Sequence, residues 1–217
     1  MTPRGPRLVR SRAGSLRRAI AVAAAATAVL AIATRTRTLQ AVDDAIEAAL
    51  APHRPRLHRA ASIGTLPGER FAHPVIGAAF ALAAVRLAGA PPRRVVLPMA
   101  CASIGAILAR HGIKLLYRRA RPDHALRLEK WEPAFPSGHT ADSTAVLATG
   151  AWILAREGVV PARVSAPIVT SIAIITGLSR VALGWHWSTD VVGGWLTGIA
   201  VAGLCAGEYE RRRTIGL

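Results

Sequence analysis

Three short polar segments of the sequence hold strong cations, imidazoles and a carboxylate next to apolar stretches. The first contains Lys114 and Arg121, the second reads Pro136-Ser137-Gly138-His139, and the third contains Arg180, His186 and Asp190. Arginine offers a planar fork that matches two phosphate oxygens at once, and lysine adds a compact point charge. Three strong cations beside two imidazoles and one carboxylate therefore predict a site that binds a phosphate group.

The spacing within the second and third segments indicates how such a site could react. His186 and Asp190 are four residues apart, so a helix that begins near His186 places both side chains on one face. The carboxylate can then hold the proton of one ring nitrogen, which leaves the other nitrogen free as a nucleophile. His139 is a candidate general acid. Ser137 and Gly138 stand at the predicted start of a helix, where free backbone N–H groups favour an anion.

Six apolar stretches flank these segments and are the elements that must position them. They cover residues 18–34, 73–90, 95–114, 138–155, 164–183 and 190–207. A helix needs about 20 residues to cross a hydrocarbon core of about 30 Å, so several are short. One or two could be core helices of a soluble protein, but six would leave little polar surface to cover them. The sequence therefore predicts an all-α, polytopic membrane protein with a bundle of six transmembrane helices.

Composition supports this class and argues against two others. The chain has 217 residues, of which 52% are apolar and 18% are charged, which is too apolar for a disordered protein. The net charge of +16 would suggest nucleic acid as the partner of a soluble protein. Here the basic residues lie on both sides of the predicted membrane, so we predict no nucleic-acid partner.

The basic segments also give a predicted organisation and orientation. The predicted parts are a basic N-terminus (1–17), a first transmembrane helix with an amphipathic surface segment (18–70), a core with five transmembrane helices (71–207) and a basic C-terminus (208–217). The first apolar stretch also fits a cleaved signal peptide. Arginines before the first helix predict cytoplasmic termini in a multi-pass plasma membrane protein. Alternation then places the three polar segments on the non-cytoplasmic face.

The three polar segments together resemble a known signature. They read Lys114, six residues, Arg121-Pro122; then Pro136-Ser137-Gly138-His139; then Ser179-Arg180, five residues, His186, three residues, Asp190. This pattern resembles the three-part signature of the type-2 phosphatidic acid phosphatase superfamily, whose fold is shared with vanadium haloperoxidases. The resemblance covers roughly residues 71–207 and only loosely the N-terminal part.

The resemblance implies a membrane phosphatase that uses neither a metal nor another cofactor. His186 would attack phosphorus and form a phosphohistidine, Asp190 would orient it, and His139 would protonate the departing oxygen. The remaining signature residues would bind the phosphate: Lys114, Arg121, Ser137, Gly138 and Arg180. A metal site is disfavoured by the residues themselves, because no histidine or cysteine pair has the usual ligand spacing and three cations would repel a metal ion.

The sequence leaves the substrate and the oligomeric state open. The expected substrates are membrane lipid phosphates: undecaprenyl pyrophosphate, phosphatidic acid or phosphatidylglycerol phosphate, with a slight preference for the prenyl pyrophosphate. Small size and short loops suggest a bacterial membrane. The alternative is a non-catalytic membrane protein whose basic outer patch binds anionic lipid or a partner. Arg118 and Arg119 are interpreted as interfacial anchors that can contact a lipid head group, and Asp142 as a minor functional candidate inside the membrane.

Overall fold

A computed structural model of the chain describes residues 6–128 and 131–216, and within these ranges the regular structure is helical. The helices are α1 (Pro6–Ala33), α2 (Arg37–Leu50), α3 (Arg54–Gly64), α4 (Ala72–Ala88), α5 (Pro92–Leu116), α6 (Asp123–Arg127), α7 (Gly138–Arg156), α8 (Ala162–Ala182) and α9 (Ser188–Thr214). The all-α prediction is therefore confirmed for the described ranges. Residues 1–5 of the predicted basic N-terminus lie outside them.

Each of the six apolar stretches falls in one helix, namely α1, α4, α5, α7, α8 and α9. Among the described residues, four helices are long and apolar enough to cross a membrane: α1, α5, α8 and α9. The apolar helix α4 has 17 residues, and α7 carries many polar residues. The number of six membrane-crossing helices thus stays a prediction.

Helix α7 is polar because it lies inside the bundle, where α4, α5, α8 and α9 surround it. Its buried polar residues include Thr140, Ser143 and Thr144. Two glycines of α9 allow a close approach, since a Cβ at Gly194 would lie 2.7 Å from Thr140 Cβ, and one at Gly198 2.6 Å from Thr144 Cβ. Small residues at a helix crossing let two backbones pack closely within a membrane.

The outer surface of the bundle is apolar along its length. Exposed large side chains project from several helices: Leu82, Ile104, Leu108, Ile168, Ile175, Leu178 and Leu204. A water-soluble protein rarely exposes apolar residues over such a continuous surface, whereas lipid-facing helices require it. The bundle therefore has the surface expected of a membrane protein.

The predicted amphipathic surface segment, which follows the first apolar stretch, forms two helices, α2 and α3. Thr36 caps α2, because its hydroxyl accepts a hydrogen bond from the backbone N–H of Leu39. The inward stripe of α2 contains Asp43, which is buried, together with the partly buried Ile46 and Leu50. A carboxylate therefore lies on the face of α2 that packs on the protein, where a partner must compensate its charge.

The described parts of the predicted basic segments at the two ends of the sequence are continuations of helices α1 and α9. The described residues before 18 belong to α1, and α9 runs on through Thr214. Helices α1 and α9 pack against each other, so the described parts of the two basic segments belong to neighbouring helices.

Candidate active site

The three polar segments meet at one end of the bundle. They lie at the carboxyl end of α5, at the amino end of α7, and in the turn that joins α8 to α9. A backbone hydrogen bond of 3.0 Å from Ser137 N to Asp190 O ties the second segment to the third. The side chain of Arg121 ties the first to the third, because its Nη1 donates to the carbonyl oxygen of Trp185 over 2.7 Å.

His186 lies at the centre of this site, with only 2% of its surface exposed. Gly184, at φ +65°, makes the turn after α8 that a side chain would strain. Arg121 Nη1 lies 3.1 Å from His186 Nε2. Because a guanidinium group has no acceptor, Nε2 must accept this bond with its lone pair, and the ring proton is then on Nδ1.

The surroundings keep the His186 ring neutral. Burial, followed by the charges of Arg121, Arg180 and Lys114, holds the pKa of His186 well below its ordinary value. Nε2 therefore remains unprotonated near neutral pH, and its lone pair accepts the hydrogen bond from Arg121. A neutral imidazole with this tautomer has the form that a nucleophile requires.

Asp190 lies near His186 but binds other groups more closely. Its Oδ2 is 3.5 Å from His186 Nδ1, which is longer than a good hydrogen bond. The same oxygen accepts the backbone N–H of Trp187 over 2.9 Å, and Oδ1 accepts a bond of 2.9 Å from Arg119. His186 precedes the N-cap of α9, and this turn places the carboxylate of Asp190 beside the ring nitrogen that carries the proton. Two other groups fix the position of the carboxylate. Such contacts often tighten only when substrate is bound.

The three cations have few carboxylates to neutralise them. Lys114 lies 3.5 Å from Glu132, whose side chain is 76% exposed. Arg121 donates to backbone carbonyls, and Arg180 donates to the hydroxyl of Thr65 over 3.0 Å and stacks 4.2 Å from the ring centre of Trp185. All three cations are buried, and within the described ranges only Lys114 pairs with a carboxylate, so their excess positive charge makes the site attractive to an anion.

The second segment forms the start of α7 at this site. Ser137 is the N-cap residue and is fully buried, and its Oγ accepts a hydrogen bond of 3.0 Å from Thr140. His139 Nε2 lies 3.1 Å from Glu69 Oε1. A Cβ at Gly68 would lie 2.6 Å from His139 Cβ, so the chain before α4 packs directly on this histidine. Sequence analysis missed Glu69, since nothing in the local pattern links two residues 70 positions apart.

Arg119 is not the interfacial anchor that the sequence suggested. It is buried, with Nη2 2.7 Å from Asp43 Oδ2 and Nη1 2.9 Å from Asp190 Oδ1. Burial acts to raise the pKa of Asp43, but hydrogen bonds from Ser188, Thr189 and Arg119 outweigh it and hold this pKa below its usual range. Two buried carboxylates share one guanidinium, which explains why α2 packs on the start of α9. The sequence did contain one signal for this pair: Asp43 has the helical spacing that places it on the same apolar face as Ile46 and Leu50, where a carboxylate needs a partner.

Comparison with known proteins agrees with this geometry. The family model of the PAP2 superfamily matches residues 94–213, which is more than half of the chain. The chain belongs to the PAP2 superfamily. All three segments of the site lie within the matched range, whereas Asp43 and Glu69 lie outside it.

A PAP2 relative from Bacillus subtilis is similar in both sequence and structure. Phosphatidylglycerophosphatase B of strain 168 is 33% identical over 104 residues, which is 46% of this chain and 50% of that protein. The chain thus spans about half the length of this curated relative. The crystal structure of a transmembrane PAP2-type phosphatidylglycerolphosphate phosphatase from the same species superposes with a TM-score of 0.77 and 27% identity. That match covers 88% of this chain and 96% of the other, so the PAP2 fold extends over most of the helices.

Proposed function

We propose that this PAP2 protein is a membrane lipid phosphatase that removes a terminal phosphate through a phosphohistidine intermediate. One observation carries the proposal: the lone pair of His186 Nε2 faces Arg121, one of three buried cations of which, among the described residues, only Lys114 pairs with a carboxylate, the exposed Glu132. A nucleophile surrounded by anion-binding groups is the arrangement that phosphoryl transfer needs.

In the first step, Nε2 of His186 attacks the phosphorus atom of the substrate. The N–P bond forms while the P–O bond to the lipid breaks, and the electron pair of that bond leaves with the oxygen. His139 gives a proton to this oxygen, and Glu69, 3.1 Å from His139 Nε2, partly offsets the burial and the charge of Arg180 that disfavour the protonated ring. The lipid leaves as an alcohol, or as a monophosphate if the substrate is a pyrophosphate.

In the second step, water hydrolyses the phosphohistidine. Neutral His139 takes a proton from the water, the new P–O bond forms, and the N–P bond breaks so that Nε2 regains its lone pair. Asp190 beside Nδ1 stabilises the ring while it carries the phosphoryl group. Inorganic phosphate is released.

The phosphate-binding groups act on the transferring phosphoryl group in both steps. Lys114, Arg121 and Arg180 supply positive charge, and the backbone N–H groups that follow Ser137 at the start of α7 add fixed dipoles. Donors that are already in place for the transition state lower its energy without reorganisation. We assign no metal to this mechanism, and activity in the presence of a chelator is the corresponding test.

For the substrate, the relatives and the sequence point to lipid phosphates of one class. The Bacillus subtilis relatives are named for phosphatidylglycerol phosphate, and we propose this lipid for the present chain together with undecaprenyl pyrophosphate, which the sequence slightly favoured, and phosphatidic acid. The positive-inside rule supports cytoplasmic termini and an active site on the non-cytoplasmic face of the plasma membrane.

The test is release of phosphate by the full-length protein purified in detergent, with EDTA present. The substrates are phosphatidylglycerol phosphate, undecaprenyl pyrophosphate, phosphatidic acid and a soluble phosphomonoester, and the inhibitor is vanadate. Release that vanadate inhibits and EDTA does not supports the proposal, and the order of kcat/KM identifies the preferred lipid. Absence of release from all four substrates would favour a non-catalytic protein that binds anionic lipid. Activity lost in EDTA and restored by a divalent ion would contradict the metal-free mechanism.

A further inference from the structure

A fourth arginine lies against the phosphate-binding end of α7. Arg110 precedes Lys114 by one turn of α5, so both side chains leave the same face of that helix. A Cβ on Gly138 would lie 3.1 Å from Arg110 Cδ and 3.3 Å from its guanidinium carbon. The glycine of the Ser137-Gly138-His139 turn therefore leaves space for the arginine, and the guanidinium packs directly on the helix start.

The carboxylate of Asp142 binds only one nitrogen of this guanidinium, Nε. Arg110 Nε lies 3.2 Å from Oδ1 and 3.1 Å from Oδ2 of Asp142, which is buried one turn into α7. In the part of the chain that the structure describes, the two terminal nitrogens of Arg110, Nη1 and Nη2, have no hydrogen-bond partner. The carboxylate thus fixes the direction of the side chain and leaves four N–H donors unused.

The position of Arg110 relative to the other site residues is consistent with a ligand-binding role. Its charge acts on Lys114, His139 and Glu132, which reach the site from three different parts of the chain. Its side chain is 19% exposed, so the arginine is not fully enclosed by the protein. An arginine that only neutralised Asp142 would gain most by pairing both of its terminal nitrogens with the carboxylate.

We propose that Arg110 is a fourth phosphate-binding cation, whose Nη1 and Nη2 donate to oxygens of the substrate phosphate beside the backbone N–H groups at the start of α7. Asp142 is its positioning residue. The inference rests on the proposed function, since the ligand is the phosphoryl group of a lipid phosphate. It adds to the three-part signature a residue that the signature does not contain.

The experiment measures affinity for orthovanadate, a phosphate analogue, in two ways. One is inhibition of phosphate release, and the other is thermal stabilisation of the purified full-length protein, which needs no turnover. Arg110→Gln is expected to weaken vanadate binding about tenfold or more, the usual effect of losing a charge-assisted hydrogen bond. Arg110→Lys keeps the charge but not the two-pronged guanidinium, so its vanadate affinity is expected to lie between those of the wild type and Arg110→Gln. Arg163→Gln, an exposed arginine at the start of α8, is the matched control and is expected to bind as the wild type does.

A double variant separates phosphate binding from compensation of the buried acid. Arg110→Gln leaves Asp142 without a cation, whereas Arg110→Gln/Asp142→Asn removes both charges together and is expected to fold normally. If Arg110 binds phosphate, the double variant still binds vanadate weakly. Recovery of wild-type vanadate affinity in the double variant would overturn the inference, because it would show that Arg110 serves only Asp142.

The same data distinguish failure of this inference from failure of the proposed function. A wild-type protein that releases phosphate from lipids, with an Arg110→Gln variant that binds vanadate equally well, overturns only the role of Arg110. A wild-type protein that releases no phosphate and is not stabilised by vanadate overturns the proposed function and this inference with it.

Discussion

The two ends of the helix bundle use the same residue types in opposite ways. At the end formed by the start of α5 and the ends of α7 and α9, several of the described arginines lie beside carboxylates. Arg94 pairs with Glu157 over 3.2 Å, and Arg156 pairs with Glu210 through two nitrogens. Tyr209 also donates to Glu157 over 2.7 Å. In these pairs each arginine is neutralised by a nearby carboxylate, and the contacts join the helices.

At the active-site end, the buried cations are divided into two groups. Arg119 is paired with two carboxylates, whereas Arg121 and Arg180 donate to neutral oxygens and Lys114 has only an exposed acid nearby. Burying cations without buried counter-ions costs free energy, and a substrate phosphate can supply the missing charge. The contrast indicates which basic residues hold the fold together and which bind the ligand, a distinction that charge counting does not make.

The largest expected effect comes from the nucleophile. His186→Ala should reduce kcat by on the order of 10⁴-fold or more, because it removes the nitrogen that forms the proposed phosphoenzyme. Phosphate release measured at equal protein concentration checks this, with the exposed His53→Ala as the matched control. Retention of substantial turnover in His186→Ala would remove His186 as the nucleophile.

The next largest effect is expected on stability, when Arg119, the cation paired with two carboxylates at the active-site end, is replaced. Arg119→Gln leaves Asp43 and Asp190 buried without a cation, which should lower the free energy of unfolding by about 3–5 kcal/mol. Thermal unfolding in detergent is the measurement, and Arg118→Gln, an exposed neighbour, should change stability by less than about 0.5 kcal/mol. If Arg119 were a surface anchor, the two variants would unfold at the same temperature.

Arg119 also shows where prediction from the sequence stops. The helices and the meeting of the three polar segments follow from apolar stretches and from residues at helix ends, both of which are local patterns. The partners of Arg119 and His139 are Asp43 and Glu69, which lie 76 and 70 positions away. Pairs at such separations depend on how helices pack, and a single sequence contains no periodicity that reports it.

Helix α7 gives a second example of the same limit. The sequence presented residues 138–155 as an apolar stretch and Asp142 as only a minor functional candidate. Packing inside the bundle explains the polar residues of α7, since α5 brings Arg110 to Asp142 from another helix. The sequence predicted that α7 is a helix and where it begins, but not that other helices surround it.

The unneutralised cations at the active-site end should affect catalysis more than stability. Arg121→Gln should lower kcat/KM by about 10²–10³-fold, because the guanidinium both contacts the nucleophile and stabilises charge on the phosphoryl group. The thermal unfolding temperature should remain near that of the wild type, in contrast to Arg119→Gln. An Arg121→Gln protein that is destabilised but fully active per folded molecule would contradict the division of cations into two groups.

Arg121→Gln should also shift the pH profile of kcat/KM. Burial and three cations hold the pKa of His186 below the ordinary imidazole value of 6.5, so protonation of the nucleophile lowers kcat/KM only at acidic pH. Removal of Arg121 removes one of these charges, which should raise the pKa of His186 and move the acidic limb to higher pH. Profiles of kcat/KM from about pH 4 to about pH 8 for both proteins with one substrate test this, because ionisation of the substrate then cancels. Limbs at the same pH would show that Arg121 does not act on His186.

The smallest effect is expected at the opposite end of the bundle. Arg156→Gln breaks the pair with Glu210, but both side chains are partly exposed, at 20% and 29%, and Glu210 keeps a hydrogen bond of 3.1 Å from Trp152. Solvent screening limits such a pair to about 1 kcal/mol or less, so the unfolding temperature should fall by only a few degrees. Because this end contributes no group to the phosphate site, kcat/KM and vanadate affinity should equal those of the wild type. A loss of vanadate affinity in Arg156→Gln would mean that charge at one end of the bundle is coupled to ligand binding at the other, and the contrast between the two ends would then fail.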